Sequence, residues 1–193
     1  MIETFILSIT SFVGTNIDDI FINTLFFSEA KTKAEYRSII VGKYLGIGML
    51  ILLSVLGAFG LSFLPQQYIV YLGLIPIGLG IKEIVVAIKS RNTEQTNEPA
   101  KKPSNKVPSV VLITMANGAD NIGVYIPLFA SFAVWQMLLT VCVFLILIAV
   151  WCLIGKLLAS CSVIKNTIEK YKTVIVPIVY IALGVYILLK NFL

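Results

Sequence analysis

From Tyr44 to Ile81 the chain carries no charged side chain, and from Val107 to Gly155 it carries one, Asp120. A helix needs about 20 apolar residues to cross the hydrocarbon of a bilayer, and runs this long hold several such helices in succession. In a soluble domain about a quarter of the residues are charged, and they are spread along the chain. Here 13% are charged and 58% hydrophobic, with a mean hydropathy of +0.94. The pattern excludes a soluble globular domain. The first apolar stretch has no basic leader, since Glu3 is its early charge, and Asp18-Asp19 interrupt it. It is therefore expected to persist as a helix and not to be removed as a signal peptide.

Six spans are predicted: Thr4–Phe27, Ser38–Leu64, Gln67–Ile88, Val107–Ala130, Val134–Leu158 and Val174–Phe192. Pro65-Gln66-Gln67 separates the second from the third, and Ser131–Ala133 the fourth from the fifth. Ser90–Lys106 is polar, contains prolines and reads as a flexible linker. The expected organisation is thus one three-helix unit at 1–89, a cytoplasmic linker at 90–106 and a second three-helix unit at 107–193. The net charge of +5 is not a nucleic-acid signature, because the basic residues sit between spans. Loops one, three and five carry Lys31, Lys33, Arg37, Lys89, Arg91, Lys101, Lys102, Lys106, Lys156, Lys165, Lys170 and Lys172, against Lys190 on the other side. The positive-inside rule places those loops in the cytoplasm and both termini outside.

The two halves share a signature. Thr15-Asn16-Ile17-Asp18-Asp19-Ile20 in span one and Asn117-Gly118-Ala119-Asp120-Asn121-Ile122 in span four both fit [T/N]-x-x-D-[D/N]-I. A weaker echo pairs Leu79-Gly80-Ile81 with Leu183-Gly184-Val185. An odd number of spans per half inserts the second half upside down, as in transporters whose substrate sites form between inverted repeats. The expected fold is an all-α membrane protein of six transmembrane helices in two inverted three-helix repeats.

An ionised carboxylate at the centre of a span costs about 2.5–3.5 kcal/mol when it faces lipid. Asp18, Asp19 and Asp120 therefore face inward, hold protons or are balanced by cations. On a continuous helix Asn16, Asp19 and Asn23 share one face at i, i+3 and i+7, and Thr15 and Asp18 form an adjoining stripe running back through Ser11 and Ser8. Thr114, Asn117, Asp120 and Asn121 make the matching stripe in span four. Gly14, Gly118 and Pro127 lie nearby and are able to loosen the helices and release carbonyls as further ligands. Interhelical hydrogen bonding alone would suit the Asn and Thr residues but explains three acids poorly.

The candidate ligands are oxygens, and the chain has no histidine. On the residues alone this favours a hard or borderline divalent ion such as Mn²⁺, Ca²⁺ or Mg²⁺. The metal-site candidates are Asn16, Asp18, Asp19, Asn117, Asp120 and Asn121, with Thr15, Asn23, Thr114 and Lys43 as further candidates. Lys43 has two readings, snorkelling to the cytoplasmic surface or pairing with an inward carboxylate. Cys142 and Cys152 point about 80° apart round one helix and read as small apolar residues; with Cys161 they give no disulfide framework. No P-loop, HExxH or nucleophile elbow occurs. The expectation is a non-enzyme without a cofactor, embedded in lipid, binding no nucleic acid and taking the ion as cargo. Without a nucleotide motif, proton exchange is the expected drive, metal displacing protons from clustered carboxylates. Homo-oligomerisation is left open.

Three stretches, TSFVGTNIDDIFINTLFF, GKYLG and ITMANGADNIGVYIPLFA, resemble the CadD-type cadmium-resistance transporters of the LysE superfamily, and the resemblance runs essentially end to end. It implies a LysE-like fold in the bacterial plasma membrane and export of Cd²⁺, with Zn²⁺ as a further cargo. Asn16, Asp18, Asp19, Asn117, Asp120 and Asn121 match the motif positions of that family. Lys43 departs from it, because a neutral residue such as Gln is expected there. The alternative is another cation on the same scaffold, Mn²⁺ or a basic amino acid or other organic cation, the organic one requiring aromatic walls. Cadmium comes from the resemblance and oxygen ligation from the residues; weak oxygen ligands suit an exporter that must release its cargo.

Overall fold

The computed structural model describes residues 1–17, 19–61, 70–90, 107–159 and 177–189. Among these no strand occurs. In chain order the helices are α1 (Ile2–Asn16), α2 (Asp19–Glu29), α3 (Lys33–Leu61), α4 (Leu74–Ser90, entered through a 3-10 turn at Val70–Gly73), α5 (Val107–Ala116), α6 (Ala119–Ala130), α7 (Val134–Leu158) and α8 (Pro177–Leu189). The linker from Arg91 to Lys106, Asp18, Cys161 and most of the basic residues counted for orientation lie outside the described residues.

Two helices, α3 and α7, are each long and apolar enough to cross a membrane. The reading of span five coincides with α7 at both ends. Span two begins earlier than Ser38, and the reason is local. Thr32 Oγ1 accepts the Glu35 N–H at 3.2 Å, while Glu35 Oε2 accepts the Lys31 and Thr32 N–H groups at 2.7 and 2.9 Å. This reciprocal capping box satisfies the first orphan donors of α3 and starts the helix at Lys33. The backbone N–H groups of Lys31 and then Thr32 hold the Glu35 carboxyl below its ordinary range.

Spans one and four differ from the expectation of continuous helices, because each is broken inside its signature. The axes of α1 and α2 diverge by 64°, and the pair together has the length and hydropathy of one bent span. The fourth span ends as α5 at Ala116 and restarts as α6 at Ala119, with Gly118 at φ −89° as the N-cap. Pro127, by contrast, sits inside α6 without ending it. Gly14 also lies within a helix, where its bare Cα lets Val179 of α8 approach closely.

Each broken helix packs on the long helix of the other half. α1 and α2 lie against α7, and α5 and α6 lie against α3. α3 also meets α7, α1 meets α6, and α4 lies on α6, while α8 reaches α1 at Gly14 and α4 at Gly80. Between them stands an aromatic core. Phe12 packs edge-on against Trp151 (5.4 Å, 88°) and tilts onto Phe144, which in turn meets Tyr125 at 4.7 Å. The outward faces of α3 and α7 are as apolar as the interior, with Leu52, Leu53, Leu56, Phe59, Leu138, Ile146, Leu153 and Leu157 exposed. Hydrocarbon is the solvent that suits such faces.

Close approach of α3 to α5 depends on Gly42 and Gly46, a small-xxx-small pair of the kind that brings membrane helices together. A Cβ at Gly46 would stand 2.8 Å from the Thr114 Cβ, whereas one at Gly48 meets nothing within 4 Å. Gly46→Ala is expected to lower stability in detergent by about 1–3 kcal/mol through overpacking. Gly48→Ala, with only helix propensity changed, should be neutral or stabilising by about 1 kcal/mol. Parallel thermal unfolding of the two variants checks this, and equal behaviour would refute the close-packing argument.

Candidate metal site at the paired helix breaks

A helix end in a membrane leaves backbone groups that no water can satisfy, so a break in mid-span needs partners. At the end of α1 one partner is Trp151 of α7, whose indole Nε1–H donates to the Asn16 carbonyl at 2.7 Å. The breaks also place two half-helix C-termini, Thr15-Asn16 and Ala116-Asn117, beside two N-termini, which begin at Asp19 and Ala119. The first turns of α2 and α6 carry Asp19 and Asp120, where the positive end of the helix dipole favours a carboxylate.

The side chains around the breaks are knit together by Tyr125. The Thr15 hydroxyl donates to the Ser11 carbonyl at 3.0 Å, which leaves Tyr125 to donate to Thr15 Oγ1 at 2.8 Å. Tyr125 Oη then accepts from Asn16 Nδ2 at 2.9 Å and from Asn121 Nδ2 at 3.1 Å. Asn121 Nδ2 also donates to Asn16 Oδ1 at 3.2 Å, joining the two signatures directly. Asn16 Nδ2 further reaches the Phe12 carbonyl and Thr15 Oγ1, each at 2.9 Å.

Beside this network lies a cavity of about 10 Å³, lined by Thr15, Asn16, Asp19, Leu50, Thr114, Asn117 and Asn121. That is room for about one water-sized sphere. All of its lining residues are buried except Asn117. Asp19 Oδ2 and Thr114 Oγ1 are buried oxygens without a hydrogen-bond partner. Buried polar atoms are nearly always paired, so these two oxygens at a small cavity are free to serve as ligands. The other oxygen of Asp19 meets Lys43 Nζ at 2.5 Å, with Lys43 0% and Asp19 6% exposed. Lys43 also stands 5.8 Å from the centre of the Phe26 ring. Of the two readings left open for Lys43, the ion pair is the one observed.

Not every candidate joins the cavity. Thr15, Asn16, Asp19, Thr114, Asn117 and Asn121 line it; Asp18 lies outside the described residues. Asp120 is not among the residues that line it. Its Oδ2 accepts from Tyr180 of α8 at 2.5 Å and its Oδ1 from the Asn121 N–H at 3.1 Å. Asn23 stands one turn further along α2, 1% exposed, with both polar atoms unpaired. Among the described residues no three His, Cys, Asp or Glu side chains gather as a metal cluster, so an ion held here would rest on one carboxylate with amide and hydroxyl oxygens. Tyr125, Leu50, Tyr180 and Trp151 were not among the sequence candidates. Tyr125 had a signal, since it follows Asn121 by one helical turn.

Tyr125→Phe leaves the Asn16 and Asn121 amides without their shared acceptor. The expected cost is about 1–3 kcal/mol, the penalty of a buried donor left unpaired. Unfolding of the purified variant measures it, and an unchanged midpoint would show that Tyr125 does not organise the site.

The family model for the cadmium resistance transporters matches residues 12–192, and the chain belongs to that family. No curated protein and no solved structure matches it.

Proposed function

We propose that this member of the cadmium resistance transporter family is a secondary transporter that exports Cd²⁺, with Zn²⁺ as a second cargo, in exchange for protons. The observation that carries the reading is the ion-sized cavity whose oxygen-bearing walls come from both halves of the chain. The family description supports cadmium, and the volume favours a bare ion over an amino acid or other organic cation. The cargo would sit between Asp19, Thr15, Asn16, Thr114, Asn117 and Asn121. Asp120, tied to Tyr180, would govern the position of α6 and not contact the ion.

The six-span, inverted-repeat plan belongs to the same proposal. Exchanging the two halves maps the observed helix neighbours onto one another: the α1–α2 span on α7 becomes the α5–α6 span on α3, and α8 on α1 becomes α4 on α6. With three spans per half, such an exchange runs parallel to the membrane. Rocking of the halves about the shared cavity would then expose it to either side, with loops one, three and five cytoplasmic and both termini outside. In the resting state Lys43 supplies the positive charge that Asp19 needs. An entering divalent ion competes with it for the carboxylate, so binding replaces one cation by another at little cost in buried net charge.

Asp19→Asn should reduce Cd²⁺ accumulation in everted vesicles to background while the protein remains inserted. Accumulation at the wild-type level would remove Asp19 from the site. Running the assay with and without a proton gradient tests the coupling, since exchange requires uptake to collapse with the gradient. Lys43→Gln leaves Asp19 buried without its cation, which costs about 3–5 kcal/mol. Cd²⁺ should recover much of that loss in a thermal unfolding assay, more than it stabilises the unaltered chain. No added stabilisation would contradict the competition between Lys43 and cargo.

A further inference from the structure

A second set of unpaired groups lies on the other side of Asp19. Asp19 and Asn23 are one turn apart on α2 and share a face. Asn23 packs on α7, where Gly155 lies so close that a Cβ added there would stand 2.7 Å from the Asn23 Cβ. Cys152 precedes Gly155 by three residues and occupies the same face of α7. It is 4% exposed and lies between Trp151, which bonds the Asn16 carbonyl, and Gly155, which abuts Asn23. The amide of Asn23 has no partner for either polar atom. An Asn with neither hydrogen-bonding atom paired at 1% exposure is costly for a structural role alone.

Cys152 also forms part of the wall of a larger cavity of about 310 Å³, with Phe27, Tyr36, Ile40, Tyr44, Leu153 and Lys156 among its other lining residues. It lies at the end of the bundle where α2 finishes, α3 begins and α7 finishes. At its wall Tyr36 is stacked on Phe27 at 5.9 Å and Lys156 Nζ stands 5.3 Å from the Tyr36 ring centre. The lysine head is thereby held on an aromatic face. Cys152 thus lines the larger cavity from the helix that packs against Asn23.

We propose that Cys152 is a metal ligand, forming with Asn23 and Asp19 a sulfur-and-oxygen station where a thiophilic divalent cation rests before passing to the oxygen-lined cavity. A thiolate is the donor that separates soft Cd²⁺ and Zn²⁺ from hard Mn²⁺ or Mg²⁺. Binding breaks the S–H bond, forms an S–metal bond and releases one proton into the larger cavity. The oxygen cavity then needs no softness of its own: selection occurs at the sulfur and release from the oxygens. The inference rests on the cation-transport reading, and its test separates the two.

The experiment uses the full-length chain in lipid nanodiscs with Cys142→Ser and Cys161→Ser, leaving Cys152 as the sole thiol. Titration with Cd²⁺ should produce the ultraviolet sulfur-to-cadmium charge-transfer band, and adding Cys152→Ser should abolish it. Cys152→Ser and Asn23→Ala should each weaken Cd²⁺ binding by about tenfold or more, the least expected for losing a metal-supporting group. A metal-free thermal unfolding midpoint of Cys152→Ser equal to that of the parent with Cys152 as sole thiol shows that the variant is folded. Asp19-dependent Cd²⁺ uptake without the band would overturn the sulfur station and leave the transport proposal standing. Absence of any Asp19-dependent uptake would overturn both.

Discussion

Asp19 is a carboxylate at 6% exposure among apolar helices, and the architecture around it follows from keeping that charge compensated. Lys43 on α3 supplies the cation, and for its ammonium to arrive, α3 must lie close to the broken first span. Three positions on, Gly46 sits against Thr114, and Gly118 at the second break admits the Leu50 side chain, which also lines the cavity. The same helix thus carries the counter-cation and sets the spacing of the cavity walls. A buried pair of this kind adds little net stability, because desolvation of both ions offsets their attraction. It does enforce a geometry, since separating the partners within hydrocarbon strands two charges.

Backbone chemistry imposes the second requirement. Broken helices at mid-span expose carbonyl and N–H groups that the bilayer cannot hydrate. The structure meets this need from across the chain: Trp151 caps the Asn16 carbonyl from 135 residues away. The aromatic core of Phe12, Tyr125, Phe144 and Trp151 then has two duties, filling the space between α1, α6 and α7 and carrying polar tips that end in the site. That combination of apolar body and polar tip is what Tyr and Trp offer and Phe or Leu do not.

Much of this was legible in the sequence where one local property decides the outcome. Val134–Leu158 is an uninterrupted apolar run, and α7 has those bounds. The signatures at Thr15–Ile20 and Asn117–Ile122 suggested a shared site, and Asn16, Asp19, Asn117 and Asn121 from them line one cavity. What was not legible depends on distant partners. The stripe of Asn16, Asp19 and Asn23 assumed a straight helix, but the break lets Asn16 and Asp19 reach the cavity while Asn23 faces α7. Asp120 looked equivalent to the other acids, and only the arrival of α8 shows its carboxylate bonded to Tyr180. Lys43 had two readings of equal merit because nothing on its own helix distinguishes them; Asp19, 24 residues away, does.

One further feature runs the length of α1. Thr4, Ser8, Ser11 and Thr15 recur on a single buried face. Ser8 bonds Thr140 of α7 at 2.8 Å, and Thr4 accepts from Gln136 at 3.1 Å. Hydroxyls can exchange such bonds for bonds to water at almost no loss, whereas hydrocarbon offers them none. The α1–α7 boundary is therefore a seam with a preferred filling. Parted in a bilayer, it draws in water and excludes lipid tails, and the hydrated cleft so formed ends at Thr15, on the wall of the ion-sized cavity.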